Sequence, residues 1–119
     1  MHNSSDERRK DPRIYRNFIM SYHEKGKSAK THDVSQVNNV SKGGVNFSST
    51  HPLKKEAILT VELKTPFISD SLILDGFVVD CREKIAGMIY EVRLKFQDIP
   101  SEALVVLEKI EKYSKNKES

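Results

Sequence analysis

Residues 88–97 read Met-Ile-Tyr-Glu-Val-Arg-Leu-Lys-Phe-Gln. Met88, Tyr90, Val92, Leu94 and Phe96 fall on one parity, and Ile89, Glu91, Arg93, Lys95 and Gln97 fall on the other. Side chains of a strand alternate between its two faces, so this stretch is a half-buried strand with a core face and a solvent face. Upstream, Ala57, Leu59, Val61 and Leu63 alternate with Ile58, Thr60, Glu62 and Lys64 until Thr65-Pro66 ends the run, which gives a second strand. Residues 71–83 are rich in β-branched and aromatic side chains, with Gly76 marking a bulge or a close backbone approach.

The remaining elements follow from weaker patterns. Ile14, Phe18, Met20 and Tyr22 share a parity that Ile19 breaks, and they predict a strand over Ile14–His23. Residues 24–30, with Gly26, form a turn. In Thr31–Val40 the valines at 34, 37 and 40 are three apart, a helix-like spacing, but the Asn, Ser, Thr and Val content favours a strand. Lys42-Gly43-Gly44 breaks the chain, and Val45 and Phe47 restore alternation before His51-Pro52. After Ile99-Pro100, Ser101 is a good N-cap for a helix whose apolar set is Leu104, Val106, Leu107, Ile110 and Tyr113. About six strands in succession, with no helical pattern between them, exclude a doubly wound α/β fold. They predict a mainly β protein, an antiparallel sheet closed into a small barrel and capped or flanked by the C-terminal helix.

At 119 residues, 37% hydrophobic and 31% charged, the chain is expected to build one core and to fold. Three parts are expected: a flexible arginine-rich arm over 1–13, a folded unit over 14–113 and a disordered tail over 114–119. No apolar run approaches the roughly 20 residues of a membrane span, and no apolar segment follows the charged N-terminus, so the expected location is the cytoplasm. The net charge of +3 does not by itself demand a nucleic-acid partner. Cys81 has no second cysteine to pair with and reads as a packed thiol. His2, His23, His32 and His51 lack metal-ligand spacing and read as isolated surface groups. Ser41 lacks the Gly-x-Ser-x-Gly setting of a nucleophile elbow, and no helix follows it. An enzyme is therefore not expected.

Two short motifs remain. Arg9-Lys10-Asp11-Pro12-Arg13 places two arginines at an RxxxR spacing just before the first strand. In an extended segment they lie roughly 13 Å apart on one side, a span that suits a flat, doubly charged ligand. Arginine's planar fork fits phosphate oxygens and guanine edges. Asn39-Val40-Ser41-Lys42-Gly43-Gly44 is an NxSxxG at a strand end. Asn39 and Ser41 offer short polar groups, and the glycines let backbone N–H groups turn toward an oxygen-rich ligand.

In this order and separation the motifs resemble the signature of the PilZ family, RxxxR followed a strand and a loop later by Asp/Asn-x-Ser-x-x-Gly. The flanks Glu7–Arg13 and Ser41–Phe47 are similar to the family's arginine-rich lead-in and its Gly-Gly strand entry. The resemblance implies a six-stranded antiparallel barrel and cyclic di-GMP as the ligand, with no other cofactor. Arg9 and Arg13 would engage guanine edges and phosphates, Asn39 and Ser41 a guanine and the phosphate region. Gly44, with Gly43 beside it, would let the ligand lie against the turn. Arg8, ahead of the first motif arginine, implies an intercalated pair of ligands. The family further implies that the arm folds over the barrel on binding and that a downstream protein partner in motility, pili or biofilm signalling reads the change. Two other readings stand beside it. One is a ligand-independent adaptor docking on a pilus or motility protein. The other is a single-stranded nucleic-acid-binding barrel, disfavoured because Tyr90 and Phe96 lie on the apolar parity of their strand.

Overall fold

A computed structural model describes residues 17–26, 30–34 and 36–118. Seven strands and one helix follow in the order β1 (Ile19–Glu24), β2 (His32–Asp33), β3 (Gln36–Val40), β4 (Gly44–Ser49), β5 (Ile58–Lys64), β6 (Leu72–Ile85), β7 (Ile89–Gln97) and α1 (Ser101–Glu118). All strands join one antiparallel sheet in the order β2-β1-β5-β6-β7-β4-β3. The predicted class holds: a mainly β chain with a curled antiparallel sheet and a C-terminal helix.

The count is seven strands rather than six because the segment expected as one strand over 31–40 divides. β2 pairs only with β1, at one edge of the sheet, and β3 pairs only with β4, at the other. The chain passes from one edge to the other between Asp33 and Gln36, which requires the sheet to curl until its edges approach. Side chains, not a ladder, bridge the seam. The Tyr22 ring packs on Phe47 with centroids 5.7 Å apart, and its hydroxyl bonds the Ser49 hydroxyl at 3.1 Å. The His32 and His51 rings lie 4.5 Å apart across the same seam, so two of the four histidines are partners rather than isolated groups. Burial pushes the Tyr22 phenol above its ordinary pKa, which keeps it a neutral hydrogen-bonding group.

Alternation explains what is inside. Met20, Tyr22, Leu59, Val61, Leu63, Leu74, Val78, Val92, Leu94 and Phe96 are buried, while Ile19, the exception to its strand's parity, is 64% exposed. Each fully buried aliphatic or aromatic side chain contributes about 1.5–3 kcal/mol. The spacing of three between Val37 and Val40 comes from a bulge. Val37 faces Phe47 and Asn39 faces Asn46, so Asn38 is an extra residue and both valines reach the core. α1 seals the core with Ala103, Val106, Leu107 and Ile110. Its inward face is turned slightly from the expected one: Leu104 and Tyr113 are more than a third exposed, and Ala103 takes the buried position. The helix also runs past Tyr113 through residues expected as a tail, to Glu118. Cys81 is partly buried, its sulfur accepting the Leu53 amide at 3.5 Å, a packed thiol as expected.

Candidate functional site

The β3–β4 turn and the outward side of β4 and β7 form one open depression of about 570 Å3, within the usual range for a small-molecule site. Asn39, Ser41, Gly43 and Gly44 line it, so four of the expected site residues converge. Arg8, Arg9 and Arg13 lie outside the described residues.

The turn is held by its own polar groups. The Ser41 amide donates to the Gly44 carbonyl at 2.9 Å, and the Gly43 amide donates to the Ser41 hydroxyl at 3.2 Å. From β7, the Phe96 amide reaches the Gly43 carbonyl at 2.9 Å. Gly44 has a structural duty besides any role toward a ligand. A Cβ there would collide with the Leu94 carbonyl oxygen, so only glycine lets β4 start this close to β7. Gly76 is the close-approach case anticipated for β6, since its Cβ would come within 2.6 Å of the Lys95 carbonyl.

Two cations that sequence reading left on a solvent face complete the site. Gly44 pairs with Lys95 and Asn46 pairs with Arg93, so the exposed parity of β7 becomes a wall of the depression. A second bulge, at Val79 in β6, brings that exposed valine to the same rim. Across β6, Asp80 pairs with Arg93 in register, yet the ion pairs go elsewhere. Arg82 lies 3.7 Å from Asp80 and 3.9 Å from Glu91. Glu91 also accepts the Asn46 amide at 3.0 Å, while Asn46 accepts the Asn38 amide at 3.1 Å. The nearby carboxylates are thus committed, and among the described residues Arg93 and Lys95 have no acidic partner. Two unpaired cations beside a glycine turn and a small apolar surface suit a ligand with both phosphate charge and flat rings. Their types were visible in the sequence; only the register between β4 and β7 assigns them to a site.

The described residues contain no group of three side chains fit to hold a metal ion. No described helix is long and apolar enough to cross a membrane. The lowered pKa of Asp75, caused first by its hydrogen bond from Lys25, belongs to an ion pair between β6 and the end of β1, away from this depression.

Comparison with known proteins bears on the fold and the family. The structure of the Bacillus subtilis inhibitor of motility (MotI/DgrA) is similar in fold, with a TM-score of 0.65 at 10% identity. The match covers 83% of this chain and 47% of that one, so the chain spans about half the length of that protein. No curated protein matches. The family model described as PilZ domain matches residues 7–115, both motifs included. The chain belongs to the PilZ domain family.

Proposed function

We propose that this chain is a cyclic di-GMP receptor that acts as an adaptor, binding the dinucleotide and passing the event to a protein partner. The observation that carries the reading is the convergence of Asn39, Ser41, Gly43 and Gly44 on one depression with Arg93 and Lys95, which have no acidic partner among the described residues. In this reading Arg9 and Arg13 close over the ligand from the N-terminal side, and Arg8 favours an intercalated ligand pair. Ordering that segment costs conformational entropy that only bound ligand offsets, so capture becomes a switch. The role is binding rather than catalysis, and the place of action is the cytoplasm. Because a similar fold occurs in a protein titled an inhibitor of motility, a motility component is the first partner to seek.

Titration calorimetry with cyclic di-GMP tests the reading on the whole chain. Saturable binding at micromolar concentration is expected for the wild type, with two ligands per chain. Arg9→Ala should weaken it strongly. Arg93→Ala should cost about tenfold, as loss of one charge-assisted contact of about 1–3 kcal/mol implies. A stoichiometry of one removes the paired-ligand reading. No binding at tens of micromolar removes the receptor reading and leaves the ligand-independent adaptor.

A further inference from the structure

The turn that lines the ligand depression has a second side. Lys42 points away from its neighbours Ser41, Gly43 and Gly44, into another groove of about 500 Å3 shared with Val105, Glu108, Lys109, Glu111 and Lys112 of α1. There the Lys42 backbone amide donates to Glu111 Oε2 at 2.6 Å, and the Lys42 ammonium stands 3.9 Å from Glu108. Both lysine and glutamate side chains of the longer pair are about half exposed, so that pair holds little. The amide–carboxylate bond is different: it is charge-assisted, short, and fixes a backbone group in the middle of the turn. Glu111 follows Ile110, which is fully buried, so its own backbone is held by the core.

We infer that Glu111 is a positioning residue, holding the β3–β4 turn in the shape that presents Ser41, Gly43 and Gly44, so that ligand capture and the docking of α1 are coupled. The inference rests on the function proposed above. Two effects of the carboxylate oppose each other. Its negative charge sits on the far side of the turn from an anionic ligand, and at such a distance in water the repulsion changes affinity by less than about twofold. Loss of the charge-assisted bond lets the turn sample other shapes and weakens binding about three- to tenfold. Positioning wins. By linkage, a ligand that favours the held turn favours the seated helix by the same factor, and a partner gripping α1 alters affinity reciprocally.

Glu111→Ala and Glu111→Gln in the full chain separate the effects, because glutamine keeps an acceptor oxygen and loses the charge. Without ligand, the Lys42 amide should be protected from hydrogen exchange in the wild type and Glu111→Gln, and exposed in Glu111→Ala. With cyclic di-GMP, Glu111→Ala should bind three- to tenfold more weakly and Glu111→Gln within about twofold of the wild type. Ligand should slow exchange across α1 in the wild type more than in Glu111→Ala. Wild-type affinity in Glu111→Ala, equal losses in both variants, or an unchanged Lys42 amide in Glu111→Ala overturns the inference. Absence of binding by the wild type would instead refute the receptor reading, and the Lys42 amide would still decide whether Glu111 holds the turn.

Discussion

Two hairpin ends of this sheet carry glycine, and they use it for opposite reasons. At the β3–β4 turn, Gly44 is needed because β7 is already there, and the Ser41, Lys42 and Gly43 amides and the Gly43 and Gly44 carbonyls bond within the turn, to α1 or to β7. At the β6–β7 turn, Gly87 has a φ of 70° with nothing within 4 Å of a Cβ, and Ile85 and Met88 beside it are 51% and 62% exposed. One end is a packed, anchored turn opening on cations that have no acidic partner among the described residues. The other is a free tip held by its own bonds, from the Met88 amide to the Ile85 carbonyl at 2.8 Å and from the Gly87 amide to Glu83 at 2.7 Å. A glycine that avoids a collision and one that supplies a left-handed turn look alike in a sequence.

The largest expected effect breaks the first end. Gly44→Ala forces β4 away from the Leu94 carbonyl, and the change should cost about 3 kcal/mol, near the upper range of single substitutions. A urea melt measures it. A loss under about 1 kcal/mol would mean that β4 shifts freely and that the turn is not a fixed platform. Ligand affinity should fall with it, since the same glycine borders the depression.

At the free tip the cost is conformational alone. Gly87→Ala places a Cβ at positive φ in open space, and should destabilise by about 1 kcal/mol. Gly87→Asn should lose less, because asparagine tolerates the left-handed region, whereas asparagine at 44 should be no better than alanine. If asparagine at 44 recovers stability, the constraint there is conformational and the contrast fails.

The sequence carried much of this fold, but unevenly. In β5 and β7 alternation named most of the core side chains, and Val92, Leu94 and Phe96 are buried as it requires, whereas Met88, on the same parity, lies in the turn before β7 and is 62% exposed. The helix after Ile99-Pro100 was equally legible, although Pro100 rather than Ser101 holds the cap position, its carbonyl accepting the Leu104 amide at 2.9 Å, and Ala103 rather than Leu104 faces inward. The bulges were not. Alternation is a local rule, and an extra residue such as Asn38 or Val79 is defined only by what lies opposite it. The division of 31–40 into β2 and β3 depends on which edges those residues reach. For the site, the NxSxxG turn was readable because its residue types are unusual in a strand entry. Arg93 and Lys95 were not, because an exposed cation on an alternating strand is by default a solvated one. Their place on the depression follows from the register with Gly44 and Asn46, and the nearby carboxylates Asp80 and Glu91 pair with Arg82.

The smallest expected effect tests whether the two ends are electrically separate. Lys95 stands opposite Gly44, whereas Met88 lies seven residues back along the same hairpin, roughly 23 Å away at about 3.3 Å per residue. Charges in water separated by more than the Debye length, about 8 Å at physiological salt, scarcely interact. Met88→Lys therefore adds a cation without helping an anionic ligand, and affinity should stay within experimental error of the wild type at physiological salt. Stability should change by no more than about 0.5 kcal/mol, because the methionine is 62% exposed and gives up little burial. Lys95→Ala removes the same unit of charge beside the turn and should weaken binding severalfold. Tighter binding by Met88→Lys at physiological salt would mean that the ligand extends along β7 toward the tip. The depression at Gly44 would then be only one end of a longer site.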